Sequence, residues 1–550
     1  MLTGNYFFKQ ITMFRILEKE KIFAGPGFNR WLVPPAALAI HLCIGMAYGF
    51  SVFWLPLSQA IGINQPVTCA DDGFIHQLFT TTCDWKVSML GWMYTLFFVF
   101  LGSAAAIWGG WLEHAGPRKA GLVAAICWCG GLLFSAWGIH LHQLWMLWLG
   151  SGIIGGIGLG IGYISPISTL IKWFPDHRGM ATGMAIMGFG GGAMIGSPLA
   201  NRLMNFFATS NSVGVWETLV TLAIIYFIFM ICGALAYRIP QPGWKPKGWQ
   251  PAELKQEKMI TRGHVHVKQV MKTNQFWLLW MVLFLNVTAG IGILGMASPL
   301  LQEIFGGKLI GMELSFSQLN ESQLKQIAGI AAGFTGLLSF FNIIGRIGWS
   351  SLSDSIGRKN TYWIFLSFGC LLYLSIPYWG SHGELALFVL TCSLILSMYG
   401  GGFATIPAYL ADLFGTQMVS AIHGRLLTAW ATAGVAGPVL VNYLREYQLA
   451  QGADRADVYN TTMYILGGML TIGIVCNALV KPVDPKFFMR AEELNKEKQL
   501  AHEPITSDIT IESDRTSKKI LLVLAAWLAV GLPLMWGVYL TLKTAMKIFS

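Results

Sequence analysis

Along the chain, apolar runs of membrane-crossing length alternate with short polar interruptions. They fall at 31–57, 87–108, 120–139, 144–168, 180–203, 216–237, 275–301, 327–349, 361–380, 385–411, 423–444 and 461–480, with a thirteenth at 520–542. A helix needs about 20 apolar residues to cross the hydrocarbon core of a bilayer. Strands of a membrane barrel would alternate apolar and polar over about 10 residues, and these runs are longer and unbroken. The pattern predicts an all-α, polytopic membrane protein. It divides the 550 residues into an N-terminal segment (1–28), a six-helix half (29–238), a central polar loop (239–274), a second six-helix half (275–482), a charged linker (483–519) and a thirteenth membrane helix (520–550). The linker, dense in charge of both signs, reads as a segment of low order.

The second half repeats the first. GGWLEHAGPRK (109–119) after span 2 returns as WSSLSDSIGRK (349–359) after span 8, so that Glu113 aligns with Asp354 and Gly116 with Gly357. A Pro-Leu pair closes spans 1 and 7 at Pro56 and Pro299, and GYISP at Gly162 returns as GFATIP at Gly402. These separations are 241, 243 and 240 residues, so two six-helix units stand in tandem with the same orientation.

Composition agrees with the hydropathy pattern. Of all residues 54% are hydrophobic and only 12% charged, too few charges for a water-facing surface. The net charge of +10 is distributed by side rather than gathered in one patch, which argues against nucleic acid. Lys and Arg crowd the N-terminal segment, the loops at Arg118–Lys119 and Lys172–Arg178, and the central loop, whereas the opposite loops hold almost none. The positive-inside rule places those basic segments, with the N-terminus, in the cytoplasm. The first 30 residues lack the apolar core and small-residue cleavage site of a signal peptide, so no processing is expected. Most of the nine cysteines sit in apolar spans as small hydrophobes. Cys69 and Cys83 instead share the polar loop after span 1, on the outer side, where a disulfide is expected. A metal site there has only His76 to add.

One fully charged residue lies within a membrane-length apolar run, Arg346 of span 8. A guanidinium at that depth costs several kcal/mol and marks a substrate path when it faces a bundle interior. The competing reading has it snorkel to the cytoplasmic interface, since Ser350, Ser353 and Asp354 follow closely. Asn342, four residues earlier on the same face, favours the first reading, because an anion held by the arginine would also meet an amide. His41 of span 1 is the other titratable group at depth that could take a proton near neutral pH; the alternative is a neutral, hydrogen-bonded core histidine. No phosphate-binding loop and no nucleophile or metal cluster appears in the spans, which argues against an ATP-driven pump or an enzyme; no cofactor is expected.

The duplicated acidic, Gly and Arg-Lys elements resemble the loop signature of the major facilitator superfamily, and loop 239–274 resembles that family's link between halves. AYGFSVFWLPL (47–57), GLGIGYISPISTLIKWFPDHRGMATG (158–183) and GFGGGAMIGSP (188–198) resemble, more closely, the oxalate:formate antiporter family, which is related to the monocarboxylate transporters. The resemblance covers about 29–482; the linker and thirteenth helix depart from it, and a transporter-like sensor using that helix as its output is a third reading. It implies alternating access around a midplane site, with Asn342 and Arg346 as the family's span-8 pair. It also implies that Tyr48, Tyr163, Phe189, Tyr399, Phe403, Trp430 and His41 line the binding cavity. Glu113, Arg118, Asp354 and Arg358, duplicated with the repeat, are expected to act as latches between conformations. Where the oxalate carriers are expected to place a Lys in span 11, this chain reads Thr428-Ala429-Trp430. A dianion would keep an uncompensated charge there, so the expected substrate is a monocarboxylate such as formate, acetate, lactate, pyruvate or glycolate, proton-coupled or exchanged. A protonated His41 would restore oxalate:formate exchange. The expected setting is a bacterial inner membrane.

Overall fold

The computed structural model describes residues 16–25, 27–62, 67, 74–247, 259–261, 263–500 and 517–546. Among them, thirteen helices are long and apolar enough to cross a membrane: α1 (Arg30–Phe50), α2 (Met89–Ala115), α3 (Pro117–His140), α4 (Leu144–Trp173), α5 (Arg178–Phe207), α6 (Val215–Ala236), α7 (Asn274–Ile310), α8 (Gly329–Ile356), α9 (Arg358–Ser381), α10 (Leu385–Phe414), α11 (Val419–Ala450), α12 (Asn460–Leu479) and α13 (Ile520–Lys543). Helices satisfy their own backbone groups in lipid, which is why a chain this apolar is nearly all helix.

Gly116 and Gly357 separate α2 from α3 and α8 from α9 with φ of 82° and 86°, a conformation that side-chain-bearing residues rarely adopt. This explains their recurrence at the repeat period. Two local changes of winding lie in the first half. Gly45–Phe53, which spans the end of α1, winds as a 3₁₀-helix, and Trp148–Gly155 in α4 as a π-helix. Such departures often mark functional segments, and Tyr48 sits on the first.

The halves meet where α5 lies against α8 and α2 against α11. These seams are repeat-related. A Cβ at Gly183 of α5 would overlap the Arg346 carbonyl oxygen, and one at Gly424 of α11 the Ala105 carbonyl oxygen, with 183 to 424 and 105 to 346 both one repeat apart. Glycine at both places lets backbone touch backbone.

The α2–α3, α4–α5, α8–α9 and α10–α11 turns, the central segment and the linker share one face, called here the basic face. The central segment runs against the second half, Thr261 N donating to Asp412 O (2.8 Å) and Val265 N to Phe414 O (2.9 Å). Residues 483–500 of the linker depart from the low order expected of it. Asp484 caps a 3₁₀ turn at Pro485–Phe487, Met489 N donates to His264 O (2.8 Å), and Ala491–Leu500 forms a helix. Phe487 and Phe488, easily overlooked among the charges, pack against the core and anchor the segment. On the opposite face Cys83 is disulfide-bonded, the seven other described cysteines are free, and Cys69 lies outside the described residues. The thirteenth helix packs on α8, α5 and α1, touching both halves.

Candidate functional site

A cavity of about 340 Å³ lies between the halves at the ends of α1, α2, α7 and α8 that are remote from the basic face. Its walls carry Trp54, Tyr94 and Phe98 on one side and Ile291, Leu294 and Pro438 on another. A polar stripe of α8, Thr335, Ser339 and Asn342, descends one wall to a floor that Tyr48 shares. One turn below Asn342 lies Arg346, 1% exposed.

Arg346 is held from two sides. Its Nε donates to Asn342 Oδ1 (2.8 Å), and its Nη1 crosses the seam to the Ile186 carbonyl oxygen on α5 (2.9 Å). The guanidinium carbon stands 5.9 Å from the Phe403 ring centroid, within cation–π range. Because Asn342 spends its carbonyl oxygen on Nε, its amide N–H groups remain for whatever enters the cavity. Among the described residues no carboxylate lies within ion-pair distance of Arg346.

Aromatic rings from five helices pack in the layer of this cation. Ring centroids lie 4.6 Å apart for Phe403 and Trp430, 5.3 Å for Tyr163 and Trp430, 4.9 Å for Tyr48 and Phe189, and 5.3 Å for Tyr399 and Phe403. The hydroxyl of Tyr163 and the indole N–H of Trp430 are buried without a hydrogen-bond partner, while the hydroxyls of Tyr48 and Tyr399 face each other and that of Tyr48 faces Arg346. Buried polar groups are normally satisfied, so the two orphaned donors in this layer are free to meet an acceptor. His41 sits one layer away, its ring 5.4 Å from Tyr163 and 6.5 Å from Phe189. Its Nδ1 faces the Ala185 carbonyl oxygen and its Nε2 the Tyr163 carbonyl oxygen, the latter at 3.1 Å.

Toward the basic face the halves are fastened by two carboxylates at helix N-termini. Asp354 of the second half accepts Gly179 N (2.8 Å) and Met180 N (2.9 Å) at the start of α5. Glu113 of the first half accepts Ser420 N (2.9 Å) at the start of α11. Residues 113 and 354, like 179 and 420, are one repeat apart, so the same contact is made twice. A carboxylate there satisfies orphan N–H groups and the positive end of the helix dipole. Arg358 joins Asp354 (2.5 Å) to Asp412 (3.1 Å), Arg178 crosses the seam to Asp412 (2.8 Å), and Lys172 pairs with Glu113 (3.3 Å).

A sequence profile of the Major Facilitator Superfamily matches residues 37–438. The chain belongs to the major facilitator superfamily. It is 23% identical over 410 residues to the oxalate:formate antiporter of Oxalobacter formigenes, covering 74% of this chain and 83% of that one. It is 25% identical over 330 residues to apicoplast pyruvate carrier 1 of Toxoplasma gondii, covering 52% of this chain and 57% of that one. Human monocarboxylate transporter 11 is 26% identical over 226 residues, about two fifths of each chain. Among solved structures, the E. coli fucose:proton symporter superposes with a TM-score of 0.56 at 12% identity over 83% of this chain and 100% of the other.

In this major facilitator protein the residues nominated from sequence gather at one level between the halves. Tyr48 and Asn342 reach the open cavity. Arg346, Tyr163, Phe189, Tyr399, Phe403 and Trp430 form a buried layer beneath it, and His41 lies behind that layer. Arg118 stands apart from the other latch candidates. Its Nε donates to Tyr237 O (3.1 Å) in the first half and its Nη1 to Ile16 O (2.9 Å) in the N-terminal segment, neither across the seam. Its repeat counterpart, Lys359, donates to Ala478 O (2.8 Å) and Val480 O (2.7 Å). The pair therefore fastens the start of α3 or α9 to the segment after α6 or α12. Lys172, Arg178 and Asp412 were not singled out from sequence. The repeat offset carried the signal, since 172 and 412 are 240 apart at the end of the GYISP and GFATIP helices. Trp54, Tyr94, Thr335 and Ser339 gave no such signal among so many aromatic and small polar residues.

Proposed function

We propose that this transporter carries small monocarboxylates, such as formate, acetate, lactate, pyruvate or glycolate, by alternating access of two units formed by residues 29–238 and 275–482. The observation that carries the reading is Arg346, a buried guanidinium without a carboxylate partner. A lone buried charge costs several kcal/mol, and a substrate anion completes the site. The orphaned donors of Tyr163 and Trp430, with the hydroxyls of Tyr48 and Tyr399 beside them, suit the same ligand. One cation sets the charge at one, because α11 offers Trp430 and no Lys. The names of the relatives, which include oxalate and formate, pyruvate and monocarboxylates, support the chemical class.

His41 supports proton coupling. Neutral imidazole has one N–H, yet both ring nitrogens face carbonyl oxygens, and only the imidazolium donates to both. With Arg346 close by and no acidic side chain in the layer, that second positive charge becomes favourable when a carboxylate occupies the site, so anion and proton move together.

The basic face is cytoplasmic on this reading, in a bacterial inner membrane. Glu113, Asp354 and Arg358, with Lys172, Arg178 and Asp412, then hold the cytoplasmic side shut beneath a cavity open to the outside. Purified protein in liposomes should take up labelled pyruvate, lactate, formate or acetate, driven by an inward proton gradient. If unlabelled oxalate displaces the label at far lower concentration than any monocarboxylate does, the charge argument is wrong and oxalate exchange replaces it.

A further inference from the structure

Two histidines and one carboxylate meet on the cytoplasmic face, away from the transport cavity. Glu497 of the docked linker helix places Oε2 3.5 Å from His114 Nε2 and Oε1 3.5 Å from His266 Nε2. His114 ends α2 in the first half, beside the latch residue Glu113. His266 belongs to the central segment, whose Thr261 and Val265 are bonded to the end of α10 in the second half. One linker carboxylate therefore spans the same seam that the latches close.

The two histidines differ in which nitrogen carries the proton. His266 Nδ1 accepts the Lys268 backbone N–H at 3.1 Å, so it is unprotonated; in the neutral ring the proton lies on Nε2, on the side that faces Glu497. His114 Nδ1 lies 2.9 Å from the Gly110 carbonyl oxygen and donates to it. In neutral His114 only a lone pair is then left to face Glu497. Protonating Nε2 turns that repulsion into an ion pair and adds a cation to the last turn of a helix, where the dipole favours it. Among the described residues, the charged groups on the surrounding elements are already engaged or lie on the helix surface. Lys172 and the Ser420 N–H hold Glu113, and Lys19 Nζ sits on the Glu113 carbonyl oxygen (2.8 Å). Lys268 flanks His266, and Glu493, Lys496 and Lys498 flank Glu497 in the linker helix.

We propose that His114 and Glu497 form a regulatory proton-binding site, in which protonation of His114 ties the C-terminal linker to the first half and holds the cytoplasmic gate shut. His266 stands at the other end of the clamp. Histidine is the side chain suited to such a switch between pH 5 and 8. A carrier that brings protons in with its substrate would thereby be slowed as the cytoplasm acidifies. The inference rests on the reading of the latches as the cytoplasmic gate, but not on the identity of the substrate.

Hydrogen exchange reports the gate without any substrate, so a failed carboxylate assignment would leave this test intact. The full chain in lipid nanodiscs is compared at pH 5.5 and 7.5, with exchange times matched for the chemical rate, over peptides covering 174–183 and 416–424. In the wild type, protection of both peptides should rise about two- to fivefold at the lower pH, the range an accessible ion pair supports. His114→Gln and Glu497→Gln should abolish that rise and match the wild type at pH 7.5. His114→Lys, permanently charged, should show the high protection at both pH values. A pH response in His114→Gln equal to that of the wild type, or no response in the wild type, overturns the proposal.

Discussion

Arg346→Lys separates charge from geometry at the centre of the site. Arginine offers five N–H donors in a planar fork, and two of them are committed, Nε to Asn342 and Nη1 to the Ile186 carbonyl oxygen. The others remain for a carboxylate, which a guanidinium grips with two parallel bonds. Lysine keeps the positive charge but must divide one ammonium between Asn342, Ile186 and the substrate. Losing one charge-assisted bond to the substrate costs about 1.5–3 kcal/mol, or about 10- to 150-fold in affinity. Arg346→Ala leaves the carboxylate buried without a counter-charge, a penalty of about 3–5 kcal/mol and more than about 100-fold. Binding calorimetry on purified protein should show this order, Lys weakened and Ala weaker still, and counterflow into liposomes should follow it. Since Arg346 also bonds across the seam, a melting curve of each variant distinguishes lost binding from lost folding. Wild-type affinity in both variants would refute the assignment of Arg346 as the anion ligand.

Asp354→Asn removes one acceptor oxygen and the charge from a group that holds Gly179 N, Met180 N and Arg358. The loss of about 1.5–3 kcal/mol should shift the balance toward a state open on the basic face by about tenfold or more, seen as a longer distance between spin labels at His177 and Ser355. An unchanged distance distribution would show that Asp354 is no latch. Trp430→Lys supplies the second cation that α11 lacks, so oxalate should compete for uptake in the variant and not in the wild type; equal competition in both would sink the one-cation argument. On the face opposite the basic one His142, stacked on Trp85 (4.2 Å between centroids) and bonded through Nε2 to Cys83 O (2.8 Å), has its pKa lowered by burial, against the raising effect of that bond. A lowered folded pKa contributes stability that is present above the unfolded value of about 6.5 and lost as pH falls below it. The melting temperature should therefore drop below about pH 6.5 in the wild type, with a smaller drop in His142→Gln.

The architecture was legible because a bilayer leaves the backbone almost no choice. Apolar length alone located the thirteen helices, and what it missed were details that hydropathy does not encode. The 3₁₀ winding over Gly45–Phe53 leaves the residues as apolar as a regular helix would. The linker was misread for the opposite reason. Its charges suggest solvation, yet Phe487, Phe488 and the backbone bond from Met489 to His264 dock it. A local average of charge is blind to two anchoring side chains.

The repeat carries more of the site than any single motif does. Aligning Glu113 with Asp354 locates two carboxylates at the seam but not their partners, because the partners differ between halves. The first half uses Lys172 on Glu113, whereas the second has Asp412 at the equivalent position and inserts Arg358, where the first half has Pro117, to hold two carboxylates together. Arg118 was grouped with the latches by its place in the motif, although its true counterpart is Lys359. Both point away from the seam to carbonyl oxygens after α6 and α12. Position in a motif fixes where the backbone goes; which way the side chain turns depends on the nearest unsatisfied group. Arg346 shows the same rule from the other side. It reaches across the seam to the Ile186 carbonyl oxygen of α5, and glycines on that helix give it room, since a Cβ at Gly190 would fall 3.4 Å from Arg346 Nε and one at Gly183 would overlap the Arg346 carbonyl oxygen. If Arg346 is the anion ligand proposed above, it is also part of the seam, so occupying it and releasing the bond to Ile186 would be coupled, and coupling of that kind is what alternating access requires.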